Sequence, residues 1–336
     1  MEKIRIGMIG CGGNASGHLR RIMEIPEVEV VGLTDTSEES FKRLFERIPE
    51  AEAIPRFSDY KEMLASVEMD ATEISTPHTG HFEQIIACFD QGLHVLTEKP
   101  MVCTVEHALE VMDRAKAAGV VFMVSYQRHF APSFRFMRNQ IGSGEIGEVQ
   151  FITAMQDQNW YRSQQGKWRQ VHSLSGGGQL NDSGSHLLDI VLWMTDLVPA
   201  EVSAYMEYFD GEVDINSALS IRFTNGALGN LSVVGNSVGP GMWEDITIWG
   251  SKGVIYSRNG QLTCKYGGRD PVEIDDLPSR FNSPDENFID AILGRDEVQV
   301  PAECGLRVIQ LSEAAWASAE KGGRPVKVKS TRTRKR

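Results

Sequence analysis

An aspartate and a histidine four residues apart, Asp182 and His186, stand in the run Gly176-Gly177-Gly178-Gln179-Leu180-Asn181-Asp182-Ser183-Gly184-Ser185-His186. On a helix, that spacing puts both side chains on one face, a turn apart. A carboxylate beside an imidazole holds the ring in one orientation and raises its basicity, as a general base for an alcohol proton requires. By itself the spacing equally suits a helix start, with Asp182 or Ser183 as cap and His186 as a satisfied core histidine. A lysine offers the complementary chemistry. Glu98-Lys99-Pro100 follows the apolar run Leu93-His94-Val95-Leu96-Thr97. At the carboxyl end of a parallel strand, the Lys99 ammonium can stabilise a developing alkoxide. An isolated Glu-Lys-Pro would also fit a surface lysine paired with Glu98.

These groups need a partner for redox chemistry, and the N-terminus supplies a site for one. Ile4-Arg5-Ile6-Gly7-Met8-Ile9 reads as a buried strand and runs into Gly10-Cys11-Gly12-Gly13-Asn14-Ala15. The pattern is G-x-G-x-x-A. Gly10 permits the tight turn, Gly12 lets the backbone approach a pyrophosphate, and Ala15 lets helix pack on strand. Gly13 and Asn14 complete this cofactor loop, and the following helix presents its positive end to the phosphates. The next strand, Val28 to Thr34, ends at Asp35, 20 residues past Ala15. An acid there binds the adenosine ribose hydroxyls and repels a 2′-phosphate, which favours NAD over NADP. Asp35 could alternatively cap the helix that starts near Ser37.

The elements that must position these residues alternate up to Ser125. Strand-like runs at 53–57, 71–75, 93–97 and 120–125 are separated by helical runs at 58–67, 82–91 and 104–119. Such alternation predicts a doubly wound parallel sheet, with ligands beyond the carboxyl ends of its strands. Thr76, Pro77 and His78 are therefore expected to line the cofactor crevice, with His81 at its helix start and Glu98 and Lys99 after the next strand. His78 and His81 lack a third nearby ligand, so no metal site is expected. From Glu148 the pattern changes to strand-like runs at 148–159, 200–209, 216–223, 227–235, 245–249 and 254–257, with turn signals at Asn225-Gly226 and Asn259-Gly260. A mostly antiparallel sheet is expected, with the helix from Ser183 on one face and an identical subunit on the other. The fold class is thus α/β: a parallel Rossmann sheet over 1–125, then an α+β domain with a large open sheet over 126–336.

Taken in order, Gly10-x-Gly12-x-x-Ala15, Glu98-Lys99-Pro100 and Gly178-x-Leu180-x-Asp182-x-Gly184-x-His186-x-x-Asp189 resemble the oxidoreductase family of glucose-fructose oxidoreductase, inositol 2-dehydrogenase and the rhizopine-catabolism proteins (Gfo/Idh/MocA). The resemblance covers nearly the whole chain. Tyr126 to Pro132 resembles the family's crossing between domains, and Asn287 to Ile292 and Gly323 to Val326 its C-terminal helix and closing strand. It implies hydride transfer between a sugar or polyol carbinol and the nicotinamide. Lys99, Asp182 and His186 match the family's motif lysine, aspartate and histidine. His186 would take the hydroxyl proton, Lys99 would stabilise the alkoxide, and Asp182 would orient or help charge His186. An NAD-using glycoside-cleaving enzyme without net redox, and a non-catalytic dinucleotide sensor, are the alternatives. Substrate contacts are expected from Lys99, Asp182 and His186, joined by Arg128, Tyr161, Trp168 and Arg169. An aromatic face beside a guanidinium suits a sugar ring or a sugar acid. The same residues could be core aromatics with surface arginines.

Composition narrows the partners. The 336 residues carry a formal net charge of −12, which argues against nucleic acid as a partner of the folded body. The basic run Thr331-Arg332-Thr333-Arg334-Lys335-Arg336 is expected to be a solvated terminus. Five scattered cysteines form no Cys-x-x-Cys pair and suggest a reducing compartment. No signal peptide or membrane-length apolar run is read, so a cytoplasmic homo-oligomer without membrane contact is expected.

Overall fold

The computed structural model describes residues 3–277 and 282–329, so the basic run 331–336 lies outside the described residues. The chain divides into two compact units. The first comprises Met1–Val102, Glu106–Gln127 and Asn282–Gly305; the second comprises Cys103–Val105, Arg128–Phe281 and Leu306–Arg336.

The first unit is built on β1 (Ile4–Ile9), β2 (Val28–Thr34), β3 (Arg56–Phe57), β4 (Ala71–Ile74), β5 (His94–Thr97) and β6 (Phe122–Val124). All pair in parallel, in the order β3-β2-β1-β4-β5-β6. β1 pairs with both β2 and β4, so the strand order reverses beside it. In such sheets the ligand crevice opens at that point. Helices cover the faces because their apolar residues recur at helical spacing. In Glu38–Arg47, Phe41 and Leu44 are buried and the remaining surface is largely charged. Burying each such side chain contributes about 1.5–3 kcal/mol. β3 is shorter than the sequence suggests because Pro49–Ala53 turns as a 3₁₀ segment. The returning segment enters through the helix Pro284–Ile292, which starts with a capping box. The Ser283 hydroxyl accepts from the Glu286 N–H, and the Glu286 carboxylate accepts from the Ser283 N–H.

The second unit is organised by nine strands: β7 (Val149–Gln158), β8 (Pro199–Glu207), β9 (Asn216–Phe223), β10 (Leu228–Val234), β11 (Met242–Gly250), β12 (Gly253–Arg258), β13 (Gln261–Tyr266), β14 (Val272–Ile274) and β15 (Val326–Lys327). Their order is β14-β13-β12-β11-β7-β10-β9-β8-β15. Every pairing is antiparallel except β10 with β7. Alternation is clean in β9, where Ser217, Leu219, Ile221 and Phe223 are buried while Ala218, Ser220 and Arg222 are exposed. Both Asn-Gly signals sit at hairpin turns. At the second, Asn259 and Gly260 have φ of 47° and 89°, the left-handed pair that a two-residue hairpin loop demands. The strand it returns, β13, was not read from sequence, nor was the edge strand β14. The nearly all-buried helix Gly184–Thr195 belongs to this unit and begins two residues after Asp182.

Candidate active site

The first unit forms a turn shaped for a dinucleotide. Gly10 has φ of +101°, and a Cβ there would lie 2.5 Å from the Ser75 carbonyl oxygen. Glycine is thus required where β1 and β4 run closest to the loop. A Cβ on Gly12 or Gly13 would meet nothing within 4 Å, so the loop's backbone is open to an approaching phosphate. Asn14 precedes the helix Ala15–Met23 without a side-chain cap, and Ala15 is buried against the sheet. Asp35 is partly exposed at the end of β2. Its Oδ2 accepts from the Cys11 N–H and its Oδ1 from the Ser37 N–H, each at 2.8 Å. The carboxylate is therefore turned onto the glycine loop, with further lone pairs on both oxygens for ribose hydroxyls. The Ser37 N–H that it binds belongs to the cap residue of the helix Glu38–Arg47, so Asp35 stands beside the cap rather than forming it. An open phosphate loop beside an oriented carboxylate fits a dinucleotide.

Thr76 and Pro77 are half-buried after β4, and His78 is buried. His81 is fully buried, with Nδ1 2.8 Å from the Pro100 carbonyl and Nε2 3.0 Å from the Thr76 carbonyl. Burial keeps its pKa below the ordinary imidazole range, against the pull of the two carbonyls. This ring ties the loop after β4 to the loop after β5. Lys99 is buried, and its bond to Pro100 is cis. The Lys99 N–H donates to Glu98 Oε2 at 3.0 Å.

Behind Glu98 is a buried ionic cluster that sequence reading missed. His18 Nε2 lies 3.1 Å from Glu98 Oε1, and His18 Nδ1 lies 2.6 Å from Asp285 Oδ1. Arg21 Nε donates to Asp285 Oδ2, and the Ser75 hydroxyl donates to Glu73 Oε1. Burial works against charge on His18, but Asp285, Glu73 and Glu98 outweigh it and raise its pKa well above the ordinary value. Burial pushes the Glu73 carboxyl up to about 7, against the pull of His18. Asp285 is 267 residues away from His18 in sequence, so no local signal linked the pair.

In the second unit, Asp182 and His186 occupy a tight helical entry rather than one regular helix. The Asp182 N–H donates to the Gly178 carbonyl at 3.0 Å, whereas the Gly184 N–H reaches back to Gln179. Ser183 sits at the cap position but makes no cap bond; its hydroxyl donates to Gln158 instead. Asp182 Oδ2 accepts from the Trp160 indole N–H at 2.7 Å and pairs with Arg169 Nε at 3.0 Å. Asp182 is buried, while His186 is partly exposed. A second missed residue holds this entry. Asp214, itself buried, accepts the Gly178 and Leu180 N–H groups and the Trp316 indole N–H. A Cβ on Gly178 would lie 1.9 Å from the Asp214 carbonyl oxygen, so only glycine fits.

The candidate substrate residues separate. Trp160 is core, packed with Val213 and Ile215. Trp168 carries the Arg169 guanidinium 4.3 Å above its ring centroid, so Arg169, Trp168 and Asp182 form one constellation. Tyr161 stacks on Phe209 with centroids 5.3 Å apart. Arg128 pairs with Glu244 and donates to Gln156 at 3.2 Å. Asp189 is buried with its Oδ2 2.7 Å from His129 Nε2.

A parallel sheet with a dinucleotide turn, followed by a large antiparallel sheet, defines a class of two-domain oxidoreductases. Residues 4–126 match the family described as "Oxidoreductase family, NAD-binding Rossmann fold", and residues 134–256 match the "GFO/IDH/MocA C-terminal domain". The chain belongs to the Gfo/Idh/MocA family. It is 25% identical over 303 residues to levoglucosan dehydrogenase of Pseudarthrobacter phenanthrenivorans, covering 79% of this chain and 77% of that one. It is also 25% identical to scyllo-inositol 2-dehydrogenase (NADP(+)) of Bacillus subtilis, covering 95% of each. The solved structure of a levoglucosan dehydrogenase in complex with NADH superimposes with a TM-score of 0.86 at 21% identity, over 98% of this chain and all of that one. Among the described residues, no helix is long and apolar enough to cross a membrane.

Proposed function

We propose that this protein oxidises a carbinol of a sugar, inositol or related polyol, with NAD as hydride acceptor. The observation that carries the reading is the open Gly12-Gly13 backbone beside the oriented Asp35 carboxylate, in a chain that also holds Lys99, Asp182 and His186. Relatives named for levoglucosan and scyllo-inositol support a polyhydroxylated ring as substrate. Gly10, Gly12, Gly13, Asn14 and Ala15 would hold the pyrophosphate, and Asp35 the adenosine ribose. Thr76, Pro77, His78 and Glu98 would line the nicotinamide end, with His81 fixing their loops. A bound nicotinamide supplies the hydride acceptor.

The chain's own groups supply the rest. His186 takes the hydroxyl proton, and Lys99 offers an ammonium to the oxygen as negative charge develops on it. Asp182 orients or helps charge His186 and holds Arg169, stacked on Trp168, ready for a sugar ring. Arg128 and Tyr161 are secondary substrate contacts. NAD is favoured over NADP because an anionic Asp35 repels a 2′-phosphate. The Asp35→Ser variant is expected to narrow the NAD-over-NADP ratio in kcat/KM. An identical subunit on the exposed face of the nine-stranded sheet, near Ser220, Arg222 and Asn230, would make the enzyme an oligomer, measurable by light scattering.

The test is near-ultraviolet detection of NADH with NAD and a panel of inositols, aldoses, uronic acids and anhydrosugars. NADH from one class supports the reading and names its substrates. NAD binding without NADH from any of them contradicts it, and turnover of glycosides without net NADH would replace it with the glycoside-cleaving alternative.

A further inference from the structure

We infer that His18 is a positioning residue for Lys99, holding the Glu98 carboxylate whose other oxygen holds the Lys99 backbone amide. The inference rests on the reading of Lys99 as the group that meets the developing alkoxide.

The geometry is a continuous chain of contacts inside the first unit. Arg21 Nε donates to Asp285 Oδ2. Asp285 Oδ1 lies 2.6 Å from His18 Nδ1, and His18 Nε2 lies 3.1 Å from Glu98 Oε1. Glu98 Oε2 accepts the Lys99 N–H at 3.0 Å. Ionised carboxylates only accept, so bonds at both ring nitrogens require the imidazolium, which donates from each. Two cations, Arg21 and His18, then balance two anions, Asp285 and Glu98. Glu73 lies 3.8 Å from the same ring nitrogen and its Oε2 has no hydrogen-bond partner among the described residues. Burial pushes the Glu73 carboxyl up to about 7, against the pull of His18, so Glu73 is only partly ionised at neutrality.

Three parts of the sequence meet on this one ring. His18 sits on the helix that follows the glycine loop, Glu98 follows β5, and Asp285 is carried in by the returning segment. The groups facing His18 are Glu73, Glu98 and Asp285, with Ser125 Oγ 3.4 Å from Nε2 and Arg21 behind Asp285. When His18 loses its proton, only one ring nitrogen can still donate, and the chain of contacts from Asp285 to the Glu98–Lys99 turn is broken on one side of the ring. Because the folded His18 pKa is raised, the brace is complete at neutrality and is lost as pH rises through that pKa.

The experiment uses full-length enzyme and a substrate that the wild type oxidises in the polyol panel. His18→Gln replaces two donating ring nitrogens with one donating amide nitrogen. It is expected to lower kcat about 10–100-fold, the cost of misplacing a catalytic group by a fraction of an ångström to an ångström. NADH affinity by fluorescence titration is expected to stay close to wild type, and the alkaline limb of kcat is expected to move to higher pH. Leu19→Ala, a buried neighbour on the same helix, controls for stability: it lowers Tm and leaves the shape of the pH profile alone. If His18→Gln changes only Tm, as Leu19→Ala does, the inference is overturned. If His18→Gln does not fold, Asp285→Asn retains an acceptor for Nδ1 but removes a charge that raises the His18 pKa, so the alkaline limb of kcat is expected to move to lower pH; an unmoved limb with only Tm changed overturns the inference. If the wild type oxidises nothing in the panel, the functional reading fails separately. The positioning claim is then read from the rate at which acetic anhydride labels Lys99, by mass spectrometry. An altered rate in His18→Gln but not in Leu19→Ala supports it, and equal rates overturn it.

Discussion

Two carboxylate–imidazole neighbourhoods in this protein use the same chemistry to opposite ends. In the first unit, His18 is sealed between Asp285 and Glu98, with a carboxylate at each ring nitrogen. In the second, Asp182 spends its Oδ2 on Trp160 and Arg169, while His186 as a residue is partly exposed, with its Nδ1 buried. A buried imidazolium with two anionic partners is a brace: its proton is too strongly held to be exchanged in each turnover. The partial exposure of His186 suits the proton transfer proposed for it. Burial, rather than residue type, separates the positioning histidine from the proposed base.

The comparison breaks most visibly at the reacting groups. His186→Ala and Lys99→Ala are each expected to lower kcat about 10²–10⁴-fold with NADH binding retained, measured by steady-state rates and fluorescence titration. Unchanged turnover in either variant removes that residue from the chemistry. The glycines give the next largest effect and sharpen the contrast between the units. Gly178→Ala places a Cβ 1.9 Å from the Asp214 carbonyl oxygen and is expected to unfold the entry to the His186 helix. The cost is about 4 kcal/mol or more by denaturant titration. Gly12→Ala meets nothing within 4 Å and is expected to leave stability unchanged while weakening dinucleotide binding, because its methyl occupies the phosphate approach. A stable Gly178→Ala protein would contradict the clamp by Asp214.

The smallest effect concerns Glu73. With its carboxyl pushed up to about 7 by burial, its folded-state pKa is above the unfolded one. Its protonated form is therefore compatible with the fold at acid pH, and stability is lost as pH rises through about 7. Glu73→Gln is expected to raise stability above neutrality by roughly 1–3 kcal/mol and to change little at acid pH. Thermal unfolding at both pH values checks the sign; a loss above neutrality would mean that the ionised carboxylate supports His18.

Much of this was legible because it is local. The strand, the glycine turn and Asp35 fall within one βαβ stretch, where periodicity and turn chemistry coincide. The strand–helix alternation that follows has the same character. Glu98-Lys99-Pro100 and the Asp182–His186 spacing were equally visible as motifs. What escaped depends on contacts between distant segments. His18 reads as one polar residue on an amphipathic helix until Asp285, 267 residues on, is packed against it. Asp214 lies in an irregular stretch with no periodicity, and its role appears only once the backbone of Gly178 rests on it. β13 escaped for a different reason: its inward residues, Leu262 and Cys264, alternate with polar ones in a run too short to stand out, although Asn259-Gly260 marked its turn. Asp182 was expected to orient or help charge His186; its contacts with Trp160 and Arg169 add a role in shaping the surface beside them.

The most direct test of the central claim follows a labelled hydride. Wild-type enzyme, NAD and a polyol deuterated at the oxidised carbinol are incubated, and the reduced nicotinamide is read by NMR. The account predicts deuterium on the nicotinamide ring, transferred without exchange with water, and loss of that transfer in His186→Ala enzyme that still binds NADH. Reduced nicotinamide without deuterium, or full transfer in the His186→Ala enzyme, would contradict it.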